Sequence, residues 1–198
     1  MRRRTFRLYS WVVWRLWQLN ELARRLAELS SPEAHFADLP EHVNSEGVDP
    51  VLGANLATCE KVASWVAQRI SEIERFTQAL PSIAVLVNSE AEVYPVAEAL
   101  SERLSGNNIR AVACPNGQVV GQENHVRVFD VQHIKGLEFE AVFFLSLDRL
   151  AERHPELFDK YLYVGTTRAA TYLGLTTEGS VLPTKIASLA THFRSSWT

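Results

Sequence analysis

Cysteine is scarce in this chain: Cys59 and Cys114 are the only two, far apart and without metal-type spacing. They read as buried thiols in a reducing compartment, with the cytoplasm as the default, and no metal ligands are expected. An excess of positive charge is also missing. The formal net charge is -3, so any contact with nucleic acid has to come from a local patch and not from the overall field. One such patch opens the chain, where Arg2, Arg3, Arg4, Arg7, Arg15, Arg24 and Arg25 face a single acid, Glu21. Long apolar runs are absent as well. Arg15 interrupts the first apolar stretch and no small-residue cleavage site closes it, which excludes a membrane span and a twin-arginine or other signal peptide. Finally, no G-x-x-x-x-G-K-[ST] pattern occurs, so the backbone cradle and lysine that hold nucleotide phosphates are not supplied by these residues.

What remains is an ordinary globular composition. The chain has 198 residues, 46% of them hydrophobic and 10% aromatic, enough for one domain with a buried core. We read residues 1–198 as a single domain with a less regular excursion near 31–55, where Pro, Glu, Asp and His follow no period. Val12, Leu16, Leu19, Ala23 and Leu26 predict an amphipathic helix through Ala27, and Trp11, Trp14 and Trp17 on it read as packing residues. Val62, Val66, Ile70, Ile73 and Leu80 predict a second helix stopped by Pro81. Ile83 to Val87 is an unbroken apolar run, the pattern of a strand buried on both faces. Val93 to Leu104 predicts the covering helix, ending at Gly106-Asn107-Asn108. Strands are predicted from Arg110 to Cys114, from Val126 to Val131 with alternation, and from Ala141 to Leu147; a helix is predicted from Tyr161 to Ala170 and a last strand from Tyr172 to Thr176. Strands alternating with helices imply an α/β fold, a mostly parallel sheet flanked by helices in three α/β/α layers.

Two segments carry chemistry. Gln132-His133-Ile134-Lys135-Gly136-Leu137-Glu138-Phe139 and Tyr163-Val164-Gly165-Thr166-Thr167-Arg168-Ala169 each set charged or hydrogen-bonding groups where an apolar strand meets a turn, and ligands of open α/β sheets sit beyond the carboxyl ends of strands. Arg168, placed on a helix among small neighbours, can extend a planar guanidinium toward phosphate oxygens. Glu138 holds a carboxylate at the sheet edge. Lys135 can steady phosphates or pair with Glu138, and Gly136 permits the turn between them.

These segments resemble the fifth and sixth motifs of the C-terminal RecA-like domain of UvrD/Rep-type superfamily-one DNA helicases. The resemblance covers most of the chain and implies a RecA-like fold and a part in ATP hydrolysis. ATP with Mg2+ would be held mainly by an N-terminal motor domain, in the same polypeptide or another chain, that brings the phosphate loop and the magnesium ligands. On that resemblance Arg168 is an arginine finger for the γ-phosphate and Glu138 accepts a hydrogen bond from the ribose. Thr5-Phe6-Arg7 resembles the fourth motif, in which the ring of Phe6 stacks on adenine and Arg7 reaches the γ-phosphate. Asn88, Ser89, Gln132 and His133 are the matching contacts to single-stranded DNA, with movement in the 3′ to 5′ direction. The family has threonine and histidine where this chain has Asp130 and Gln132, and an acid at Asp130 repels a DNA phosphate. The expected whole is the second motor domain of a compact DNA helicase, inactive alone; the alternative is a non-catalytic DNA- or protein-binding module derived from such a domain.

Overall fold

The computed structural model describes residues 48–122 and 124–198. Phe6, Arg7, the opening arginines and tryptophans, and residues 31–47 of the excursion lie outside the described residues.

Six strands form one sheet: β1 Val51–Gly53, β2 Ile83–Val87, β3 Ala111–Ala113, β4 Val126–Asp130, β5 Phe139–Phe144 and β6 Ala169–Thr176. Their order is β1-β6-β5-β2-β4-β3, and every pairing is parallel. The apolar run of β2 sits at the centre with all five residues buried, because parallel sheets are covered on both faces. β4 is buried along its whole length despite its alternating pattern. Arg127 accounts for this: its stem lies within the sheet while its guanidinium donates to the carbonyls of Val120 and Gln122, so the charged head is satisfied at the loop.

One face of the sheet is covered by α1, Cys59–Thr77, and α2, Glu90–Leu104. Val62, Val66, Ile70 and Ile73 of α1 and Val93, Leu100 and Leu104 of α2 pack there against Val85, Val128 and Phe143. The Thr58 side chain caps the first turn of α1 by accepting from the Lys61 amide, and the helix ends at Gln78 in the left-handed region at φ 56, before Pro81 is reached. The opposite face carries α3, Leu147–Arg153, α4, Phe158–Thr166, and α5, Thr184–Ser188. Leu147, Leu150, Phe158, Leu162 and Ile186 close over Leu86, Phe129 and Phe144. The result is the expected three-layer α/β/α arrangement.

The boundaries differ from the sequence reading in several places, among them the strand expected over Ala141–Leu147, which runs Phe139–Phe144 while Leu147 opens a helix. The helix expected over Tyr161–Ala170 ends at Thr166, and the last strand begins at Ala169 and not at Tyr172. Gly165 explains the docking: a Cβ there would lie 2.6 Å from the Phe144 ring, so the helix lies close against the sheet. The helical preference of Ala169 and Ala170 yields to pairing with β5, where Ala169 stands opposite Phe139. Val51–Gly53 form a strand inside the segment read as irregular, held between β6 and the tail, where the Leu52 amide donates to the Arg194 carbonyl at 2.9 Å.

Candidate functional site

The strand register sorts the residues singled out from the sequence onto two rims of the sheet. Ile83, the first residue of β2, stands opposite both Val126 and Ala141. Phe139 therefore lies at the amino end of β5, and its partner Ala169 opens β6. Glu138 and Arg168 immediately precede these two residues, which places them together on the amino rim. This corrects the expectation for Glu138 and Arg168, whereas Gln132 and His133, which open the first segment, do follow the carboxyl end of β4. It also corrects the position of Arg168, which follows the helix and sits in the turn leading into β6.

The amino rim is tied together by main-chain atoms. The Phe139 amide donates to the Arg168 carbonyl at 2.9 Å. The Arg168 guanidinium donates from Nε to the Val164 carbonyl at 3.2 Å, from Nη1 to the Leu137 carbonyl at 3.3 Å and from Nη2 to the Thr167 hydroxyl at 3.3 Å. All three acceptors are neutral. Among the described residues no carboxylate pairs with Arg168, so a half-buried positive charge stands without a counterion, and two of its five N–H groups remain free to bond outward.

Ahead of it, Ile134 is buried and anchors a turn closed by the Leu137 amide on the Ile134 carbonyl at 3.2 Å. Gly136 occupies the third position of that turn with φ +82, a conformation glycine adopts without steric cost. A Cβ on Gly136 would meet nothing within 4 Å. Lys135, Gly136 and Glu138 are all exposed, and no ion pair joins Lys135 to Glu138 among the described residues.

The carboxyl rim gathers the candidate nucleic-acid residues, with a different outcome for each. Val87 stands opposite Asp130, bringing Asn88 and Ser89 beside the segment that carries Gln132 and His133. Asn88 is 1% exposed, and its amide donates to the carbonyls of Leu145 at 3.2 Å and Ser146 at 2.9 Å. That amide joins the ends of β2 and β5; its buried Oδ1 has no hydrogen-bond partner among the described residues. Ser89 is half-buried and precedes α2, and Gln132 and His133 are exposed.

Sequence reasoning had not grouped Glu90 with them. It opens α2, and its Oε2 lies 3.3 Å from His133 Nδ1. Asp130 is 3% exposed and accepts from the Gln132 amide at 2.9 Å. Burial pushes the Asp130 carboxyl above its ordinary range, the Gln132 bond and the His133 charge oppose that shift, and Glu90 and Glu92 add to it. The available signal was that an acid ends a core strand, where ordinary side chains are apolar. Between the same strand ends and α1 lies an open cavity of about 240 Å³, bordered by Cys59, Val62, Val87, Val96, Leu145 and Arg149. No helix among the described residues is long and apolar enough to cross a membrane.

Residues 125–176 match the family model of the UvrD-like helicase C-terminal domain. That stretch runs from just before β4 to the end of β6 and contains Asp130, Gln132, His133, Glu138 and Arg168. The fold is similar to the crystal structure of the C-terminal domain of a possible DNA helicase from Lactobacillus plantarum WCFS1. The TM-score is 0.60 at 21% identity, over 84% of this chain and 88% of that one. It is also similar to a hypothetical ATP-dependent RNA helicase from Sulfolobus tokodaii, with a TM-score of 0.51 at 16% identity, over 89% of this chain and 56% of that one. The chain thus spans a little over half the length of the second protein. No curated protein matches it. The resemblance read from the two motif segments, to the C-terminal RecA-like domain of UvrD-like helicases, is borne out by the family match and by the shared fold.

Proposed function

We propose that this chain is the second motor domain of an ATP-dependent DNA helicase or translocase, completing a nucleotide site held mainly by a first motor domain. The observation that carries the reading is the Arg168 guanidinium, fixed by neutral oxygens on the amino rim without a counterion among the described residues. A buried or half-buried cation arranged in this way favours an anionic group brought from outside. The surroundings fit a phosphate-bearing ligand, because the space outside Gly136 is open and Lys135 and Glu138 face solvent beside it.

ATP supplies the phosphoryl group whose transfer drives such motors. Arg168 stabilises charge on the transferring phosphoryl oxygens, Lys135 adds a second positive group, and Glu138 accepts a hydrogen bond from a sugar hydroxyl. Phe6 and Arg7, outside the described residues, belong to the same site in this proposal. Magnesium is held by the first motor domain, and the chain alone does not hydrolyse ATP because it brings no phosphate loop. Exposed Gln132 and His133 on the opposite rim contribute to the single-stranded DNA track, and residues 1–198 act as one domain.

The test is Arg168→Ala in the assembled two-domain protein. By the magnitude typical of arginine fingers, ATP turnover falls about 10³-fold, while circular dichroism stays that of the parent. Arg168→Lys, which keeps the charge and loses the planar fork, recovers little of it. Turnover within a few-fold of the parent in both variants overturns the assignment.

A further inference from the structure

We propose that Glu90, Asp130 and His133 form a binding site on the carboxyl rim for one divalent transition-metal ion of the Mn2+ or Zn2+ class. This site is separate from the amino-rim chemistry and stands or falls independently of it. One ligand atom from each of the three residues lies within 4.8 Å of the others. The closest pair, His133 Nδ1 and Glu90 Oε2, is 3.3 Å apart. Neighbouring ligands about 2.1 Å from a metal ion stand about 3.0–3.4 Å apart in octahedral or tetrahedral geometry, so one edge of a coordination shell is already in place.

The second observation is Asp130 itself. The residue is 3% exposed, yet the described residues give its carboxylate one hydrogen-bond donor, the Gln132 amide on Oδ1, and no ion pair. A buried carboxylate held this way lacks the positive partner that burial ordinarily demands. The charges facing it do not supply one. Glu90 and Glu92 are negative, and His133 is positive only when protonated. Arg153, the nearby strong base on α3, is engaged with Glu92 at 2.5 Å. A divalent ion at this point gives Asp130 its counterion and converts the Glu90–His133 contact into two ligands of one centre.

The cluster is also held for the purpose by its surroundings. The Asn116 amide donates to Glu90 Oε1 at 2.9 Å, leaving Oε2 to turn toward His133, and outer bonds of this kind orient metal ligands. Asn116 and Gly117 are both left-handed, at φ 53 and φ 71, and a Cβ on Gly117 would lie 2.6 Å from the His133 carbonyl, so this turn presses directly on the His133 backbone. Two carboxylates and one imidazole favour Mn2+, Zn2+ or a similar ion over Mg2+, which prefers oxygen and keeps its waters. The side chains of His133 and Glu90 are 40% and 38% exposed, which leaves the outer coordination positions to water or to an oxygen of a bound molecule.

The experiment uses the full chain stripped with a chelator. Mn2+ is titrated while free Mn2+ is followed by electron paramagnetic resonance, Zn2+ is then added as competitor, and the melting temperature is read in parallel. The expected result is one Mn2+ per chain, displaced by Zn2+, with a melting temperature that rises on loading. His133→Ala and Glu90→Gln, both at exposed positions compatible with folding, weaken binding at least tenfold and abolish the thermal shift. Asp130→Asn does the same where it folds, and Glu98→Gln, an exposed acid on the same helix, changes nothing. Absence of Mn2+ and Zn2+ binding at millimolar concentration, or equal binding by the parent and His133→Ala, overturns the proposal.

Discussion

The amino rim and the carboxyl rim of this sheet are built from the same kinds of residue and dispose of their charges in opposite ways. On the amino rim the charged groups are left over: Arg168 is steadied by carbonyl oxygens, while Lys135 and Glu138 face solvent. On the carboxyl rim the polar groups are engaged with one another: the neutral Asn88 amide is occupied with two carbonyls, Asp130 is buried, Glu92 is paired with Arg153, and Glu90 meets His133. An edge with unneutralised positive charge and open space suits an anionic ligand delivered by another domain. An edge with buried negative charge suits a cation, and it accepts a nucleic-acid backbone poorly unless a cation is there first.

Arg168→Ala carries the largest effect, on turnover and not on folding. Next, Asn88→Ala removes both donors from the Leu145 and Ser146 carbonyls. The Ser146 carbonyl keeps the Leu150 amide at 3.1 Å, so losing the Asn88 bonds costs about 2 kcal/mol of stability in urea denaturation, with ATP turnover per folded molecule unchanged in the assembled motor. A stable Asn88→Ala protein with weakened DNA binding would mean that the amide works outward and that the two rims are alike.

Glycines give a smaller contrast. Gly117→Ala meets both a left-handed backbone and the His133 carbonyl at 2.6 Å and costs about 2 kcal/mol, whereas Gly136→Ala, at φ +82 in open space, costs about 1 kcal/mol. Equal losses would show that the open space at Gly136 is closed in solution. The smallest effect concerns thiols, both near carboxyl ends of strands. Burial is the main cause raising Cys59 and Cys114, with Glu60 adding to it at Cys59. A raised thiol holds less thiolate at neutral pH, so iodoacetamide labels neither readily at pH 7. Labelling of exposed Cys59 rises as pH passes above the ordinary thiol value, while Cys114 reacts on unfolding; rapid labelling of Cys59 at pH 7 would place positive charge on the carboxyl rim.

Much of the architecture was legible in the chain. The apolar run Ile83–Val87 coincides with β2, and the α1 and α2 periodicities point their apolar stripes at the sheet as expected. The edge strand Val51–Gly53 was not legible, because three residues show no period and their pairing depends on β6 and on the tail at Arg194. The rim of the motif residues was readable and was misjudged. Glu138 and Arg168 each come immediately before the strand they adjoin, which in a parallel sheet means its amino end, whereas Asp130 ends a strand and belongs to the other edge. The grouping of Glu90 with Asp130 and His133 was beyond reach of local pattern, since it arises from β2 and β4 lying side by side with Val87 opposite Asp130.

Arg168 is anchored chiefly by the oxygens of residues 137 and 164, atoms that every amino acid possesses. Its aim is therefore indifferent to which side chains occupy those two positions. Leucine and valine there are free to drift to other apolar residues without swinging the guanidinium, so the direction in which it points is inherited with the backbone and survives turnover of the letters around it.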